Sequence, residues 1–328
     1  MKFFYSGLLF LAFLSAGCEP GETNASNTSI ATPSPTAEPT PDQKLTAELQ
    51  KIEEASGGKL GVYAEILGSE NSGIGLNDTE SFAMQSVVKL PISMAVLKRV
   101  QQGELALDTV IEFTRDEMVP PRMHSPIRDK FPTDGKMTVE ELIRAAMSVS
   151  NGTAADVLQR VAGGAKGVQS YLDSLNIEGM KVVYSHQEFD EEYERQYVNA
   201  VTPRGAVDLL RVLAEASITD NIQATPSAIS KEHALFLLEI MQGTPTGPKR
   251  LKGLLPAGTA VAHKTGTSSS RDGSTAATND AGIITLPDGR MLLIAVFVGD
   301  SKGDAATREL AIARSAKTLW DHWAASRE

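Results

Sequence analysis

Residues 82–92 read FAMQSVVKLPI, and Met94, Ala95, Val96 and Leu97 carry the apolar run of Leu90 and Ile92 onward. A proline is tolerated in the first turns of a helix and disruptive further in, so Pro91 places a helix start close to Ser86. In such a helix Ser86 and Lys89 share one face a turn apart, at the end where the backbone dipole is positive. The pair then joins a nucleophile to a base. A serine hydroxyl needs a group to take its proton, and an amine does so once burial and neighbouring cations lower its pKa. The spacing alone is weak, because S-x-x-K is expected roughly once by chance in a chain of this length. A second copy stands at Ser56–Lys59, where Gly57 and Gly58 point to a turn.

The chain has 328 residues, 41% of them hydrophobic, enough for a large core in one or two domains. Residues 1–17 open with Lys2 and an apolar stretch from Phe3 to Leu14, too short to span a bilayer, which reads as a secretory signal. The ending L-S-A-G-C resembles a bacterial lipoprotein signal, and the resemblance implies cleavage before Cys18 and lipidation of that cysteine. Cys18 is the only cysteine, so no internal disulfide is expected. Residues 18–43, with ATPSPTAEPTPDQ, hold almost nothing apolar and read as a Pro/Thr/Ser-rich linker without structure. The expected product is an exported protein tethered to a membrane of the bacterial envelope. Loss of residues 1–17 removes only Lys2 and takes the net charge from −10 to −11. This surface and the absence of basic runs argue against nucleic acid. The five histidines, at 124, 186, 233, 263 and 322, lack metal-ligand spacing. No metal or cofactor is expected, and a monomer is.

Residues 44–328 read as one catalytic domain. Leu45, Leu49 and Ile52 have helical spacing, LGVYAEIL at 60–67 reads as a strand, and glycines 68, 73 and 75 lead into a shorter one around Ile74 and Leu76. Thr138 with Glu141 forms a capping box, Asn151 and Gly152 suit a turn before a helix over 154–161, and Thr202-Pro203 and Ser230 open two more helices. Strands return at 259–267 and at 281–286 and 291–298 around the turn Pro287-Asp288-Gly289, before a closing helix over 305–323. The expected fold is α/β: an antiparallel sheet built from the N- and C-terminal segments and flanked by helices, with an all-helical lobe between.

Three elements recur in a fixed order: S-V-V-K at 86–89, S-N-G at 150–152 and K-T-G at 264–266. The triplet resembles that of the penicillin-recognising serine acyl-enzymes, and of class A β-lactamases among them. The resemblance covers about residues 45–325 and extends to FAMQSVVKLPI, to the TAA after S-N-G and to TPTGPKRLKGLLPAGTAVAHKTGTS at 244–268. It implies that Ser86 attacks the lactam carbonyl with Lys89 as base, and that the backbone N–H groups of Ser86 and Thr267 hold the oxyanion. It further implies that Ser150 relays a proton to the leaving nitrogen, that Lys264 and Thr265 meet the substrate carboxylate, and that Asn151 and Gly266 border the substrate. Gly266 is expected to let the substrate lie against the strand edge.

Two departures stand out. S-N-G replaces S-D-N, so Asn151 has no carboxylate and Gly152 no amide to offer. In the family's ω-loop, E-x-x-L or E-x-x-M supplies the glutamate that activates the deacylating water. Counting back from Thr202-Pro203 puts His186, Gln187, Glu188 and Phe189 there, with His186 in the glutamate's place. A neutral imidazole can act as a general base, and Glu188 or its acidic neighbours offer carboxylates if the loop differs. The expected function is hydrolysis of β-lactam amides through an acyl-serine. The alternatives are a D-alanyl peptidase or transpeptidase of the penicillin-binding type, and a β-lactam trap or sensor that deacylates slowly.

Overall fold

The Pro/Thr/Ser-rich stretch gives way to a helix sooner than its composition suggests. The computed structural model describes residues 40–69, 73–189, 191–219 and 226–325. The segment expected to be a signal, Cys18 and the expected linker up to residue 39 lie outside them. Helix α1 (Pro41–Ser56) begins inside the segment expected to be unstructured up to 43. Thr40 caps it: Gln43 N–H donates to Thr40 Oγ1 at 3.3 Å, and Thr40 N–H to Gln43 Oε1 at 2.9 Å. T-P-x-Q is thus a helix start, with proline in the first turn, hidden in a low-complexity composition.

Strand β1 (Lys59–Ile66) follows the left-handed Gly57. Then come β2 (Ile74–Leu76), β3 (Phe82–Ala83), a 3-10 turn over Gln85–Val88 and α2 (Lys89–Gln101), with Pro91 in the first turn as its ring requires. The helical lobe carries β4 (Val110–Phe113), α3 (Pro126–Lys130), β5 (Gly135–Thr138), α4 (Val139–Ser148), α5 (Gly152–Val161) and α6 (Gly164–Ser174). Next are β6 (Met180–Lys181), the single turn α7 (His186–Phe189), β7 (Ala200–Val201), α8 (Pro203–Ile218) and α9 (Lys231–Gln242). The chain returns through β8 (Val261–Thr267), β9 (Ser270–Arg271), β10 (Ser274–Thr285) and β11 (Met291–Ser301) to α10 (Ala305–Ala325). Among the described residues no helix is long and apolar enough to cross a membrane.

The main sheet runs β2-β1-β11-β10-β8, with β9 paired to β10, and every pairing is antiparallel. N- and C-terminal strands therefore share one sheet, as their positions in the chain implied. Its two faces are read off by alternation. Val62, Ala64 and Ile66 of β1 with Leu292, Ile294, Val296 and Val298 of β11 pack on Leu49 and Ile52 of α1 and Ile312 and Leu319 of α10. Tyr63, Leu293, Ala295 and Phe297 face the other way, into the core shared with α2, α4, α5, α8 and α9. Covering both faces makes the strands read as continuous apolar runs, and each buried Leu or Ile contributes about 1.5–3 kcal/mol.

Strand β10 starts at Ser274, seven residues before the expected 281. Its first half holds Thr275, Thr278, Asn279 and Asp280, all buried, so no apolar alternation announces it. Of these, Asn279 reaches the segment before Ser86, whereas Thr278 accepts from Arg308 of α10, and Asp280 meets His263 and the N–H of Leu251.

Candidate active site

The segment before Ser86 is clamped from three directions. Asn279 of β10 donates its amide to the carbonyl of Ala83 at 2.8 Å, and the N–H of Met84 donates to the carbonyl of Asn199 at 2.8 Å. Gln85 has a φ of 49° and is held there by its amide donating to Gln196 Oε1 at 2.9 Å. A non-glycine residue in that region is strained, and such strain persists only where its surroundings over-determine it. The left-handed residue turns the backbone so that Ser86 heads the helix.

Lys89 is 1% exposed. Its Nζ lies 2.6 Å from Ser86 Oγ, 3.0 Å from the carbonyl oxygen of Ser150 and 3.4 Å from Ser150 Oγ. Burial, and then the nearby Lys264 ammonium, hold its pKa well below that of a free lysine, with Asp156 opposing them. Lys264, also 1% exposed, donates from Nζ to Ser150 Oγ at 3.0 Å and to the carbonyl of Thr265 at 2.9 Å. Burial lowers its pKa to about 7; Asp280 resists the shift and Arg250 adds to it. Ser150 has a φ of 57° and stands with its hydroxyl between the two amines. Such a chain, Ser86 to Lys89 to Ser150 to Lys264, can move a proton from a nucleophile to a leaving group.

Asn151 does not face the cleft. It is fully buried, and its side-chain oxygen accepts from the N–H of Ala154 at 3.0 Å and from Ser125 Oγ at 3.3 Å, capping α5. Its neighbours Ser150 and Gly152 line the cleft instead. A β-carbon on Gly266 would stand 2.9 Å from the Met84 carbonyl oxygen and 3.3 Å from the Ser86 nitrogen. This glycine therefore lets the strand approach the Ser86 turn, rather than only opening its edge to substrate. Thr265 donates its hydroxyl to Thr246 Oγ1 at 3.0 Å, and Thr244 in turn donates to the carbonyl of Ser148 at 2.7 Å, which ties K-T-G to the segment before S-N-G.

Arg250 escaped the sequence reading although it stands in the quoted TPTGPKR. Buried beneath β8, it donates to the carbonyls of Gly266 at 3.1 Å and Asn279 at 3.0 Å and to Thr267 Oγ1 at 2.8 Å, with Glu309 at 3.2 Å. It fixes the end of K-T-G from behind. Ser86, Lys89, Ser150, His186, Phe189 and Thr267 line one cleft of about 380 Å³.

His186 opens α7 and is 3% exposed. Its Nδ1 lies 2.9 Å from Asp156 Oδ1, and Phe189 packs on the ring with centroids 5.3 Å apart. Burial first and the Lys89 charge second hold the imidazole below its ordinary pKa, while Asp156 pulls it upward and Lys264 adds to the lowering. Glu188 is exposed, and its carboxylate accepts from the N–H of Ser185 at 2.8 Å, capping α7 outside the cleft. The carboxylate that Glu188 could have brought is spent on that cap. Among the described residues no group of three or more His, Cys, Asp and Glu is placed to hold a metal.

A buried serine–lysine pair, a second serine between two lysines and a strand bearing K-T-G define a serine acyl-transfer enzyme. A family model described as "Beta-lactamase enzyme family" matches residues 44–323. The chain belongs to the β-lactamase enzyme family. It is 34% identical over 279 residues to β-lactamase VEB-1 of Pseudomonas aeruginosa, covering 85% of this chain and 90% of that one. With the extended-spectrum β-lactamase PER-1 of the same organism it shares 39% over 246 residues, 75% of this chain and 76% of the relative. The crystal structure of a β-lactamase from Chitinophaga pinensis superposes with a TM-score of 0.78 at 39% identity, over 85% of this chain and 99% of that one.

Proposed function

We propose that this protein hydrolyses β-lactams by repeated turnover through an acyl-Ser86 ester, with His186 as the base that releases the product. The distance of 2.6 Å between Lys89 Nζ and Ser86 Oγ, in a site that favours the neutral amine, carries the first half of this reading. Lys89 takes the hydroxyl proton as Oγ attacks the lactam carbonyl. The oxyanion is expected to meet the backbone N–H groups of Ser86 and Thr267, each such donor being worth about 10²–10³ in rate. Ser150, within reach of both lysines, passes a proton to the lactam nitrogen as the C–N bond breaks. His186 then activates water against the ester. A neutral imidazole in the same cleft supports that assignment.

Membership of this family weighs against the peptidase and the trap, since the relatives compared are β-lactamases by name. The leader and L-S-A-G-C support export and a lipid anchor at Cys18. The test is to mix the protein with a chromogenic cephalosporin and follow acyl-Ser86 mass and product together. Many turnovers per protein are expected, with both signals lost in Ser86→Ala. Product that stops at one equivalent with a lasting adduct would refute turnover.

A further inference from the structure

We infer that Asp156 is a positioning residue, which fixes His186 in the tautomer that presents a bare Nε2 to the acyl-enzyme. The inference rests on the reading of His186 as the deacylating base. Asp156 stands in the second turn of α5, with its side chain 9% exposed. Oδ1 accepts from the His186 backbone N–H at 2.8 Å and lies 2.9 Å from Nδ1, and Oδ2 accepts from the Gln187 N–H at 2.9 Å. One carboxylate thus holds both the backbone and the ring of α7.

An ionised carboxylate only accepts, so the nitrogen facing it must carry the proton. In neutral His186 that leaves the lone pair on Nε2. This atom is buried and has no hydrogen-bond partner among the described residues, while the ring borders the cleft with Ser86. A buried acceptor without a partner is costly, and it is tolerated where a ligand or reacting molecule uses it. Phe189 on the ring limits rotation away from this pose.

Nε2 takes one proton from water as the water oxygen bonds to the ester carbon. The carbon–Oγ bond breaks, the proton held on the imidazolium passes to Ser86 Oγ, and the ring-opened acid leaves with the enzyme restored. Lys89 from α2, Lys264 from β8 and Asp156 from α5 are the charged groups acting on the imidazole, and Arg122, His124 and Tyr193 share the cleft.

The test is a pair of Asp156→Asn substitutions, one in the native chain and one in the His186→Glu background, with acylation and loss of acyl-Ser86 mass timed separately from pH 5 to 9. In the native chain D156N should slow deacylation at least about 100-fold more than acylation, because an amide facing Nδ1 favours the wrong tautomer. The rise of deacylation with pH, set by the imidazole, should flatten. In the His186→Glu background the same change should speed deacylation or leave it unaltered, since it removes a like charge. Equal slowing in both backgrounds would mean that Asp156 only holds the loop, and would overturn the proposal. Native deacylation in D156N beside an impaired His186→Ala would also overturn it, leaving the base assignment intact. His186→Ala that deacylates normally ends the base reading and this inference together. Should D156N not fold, nitrogen-15 NMR of the native protein decides: His186 protonated on Nδ1 is expected, and protonation on Nε2 alone refutes the dyad.

Discussion

Replacing Gly266 by alanine puts one methyl group where the strand meets the nucleophile's turn. The new carbon would sit 2.9 Å from the Met84 carbonyl oxygen and 3.1 Å from Gln85 Cβ, where ordinary contact begins at 3.4 Å. Strand and turn must then part by about 0.5 Å, and neither partner is the free end of a flexible side chain. Overpacking of this kind costs about 1–3 kcal/mol. A 1 Å misplacement of catalytic groups costs about 100-fold, so half of it predicts about a 10-fold loss in acylation. Stopped-flow acylation by a chromogenic cephalosporin measures the rate, and thermal unfolding measures the stability, where a drop of several degrees is expected. Acylation within 2-fold of native and an unchanged midpoint would refute the argument that Gly266 exists for this approach.

Two further expectations follow from the amines and from Arg250. Lys264, lowered to about 7 by burial, should give kcat/KM an alkaline limb near that pH. Because an unfolded lysine titrates near about 10.4, the unfolded chain binds more protons between these values, and this group's contribution to stability rises with pH across that window. Lys264→Met should abolish that part of the rise in unfolding midpoint between pH 7 and 9.5; an unchanged slope would show that Lys264 is charged when folded. Arg250→Met leaves the carbonyls of Gly266 and Asn279 without their donor and should cost about 3 kcal/mol by urea unfolding. A loss below about 1 kcal/mol would mean that β8 holds itself.

Much of this site was legible because its pieces are contiguous. S-V-V-K, S-N-G and K-T-G each lie within a few residues, and the strand and helix patterns around them carry ordinary periodicity. The ω-loop register could be counted because nothing interrupts 186–203. What escaped depends on contacts between distant segments. Asp156 looks like one more polar residue on a helix until α7 packs against it. Arg250 reads as a surface charge, and its burial follows only from the pairing of β8 with β10. The first half of β10 was missed because Thr275, Thr278, Asn279 and Asp280 are buried as polar anchors, not as core. The family resemblance puts Asn151 beside the substrate, whereas helix capping claims its side chain.

Strand β1 has β11 as its partner, so Lys59–Ile66 pairs with residues more than two hundred positions further along the chain. Contacts of such separation close slowly, after the intervening chain has paid its loop entropy. A chain still being synthesised holds the nucleophile's segment long before it holds the strands that clamp it. A truncation that removes β11 strips β1 of its main partner and leaves the hydrogen-bonding edge of an apolar strand open to aggregation.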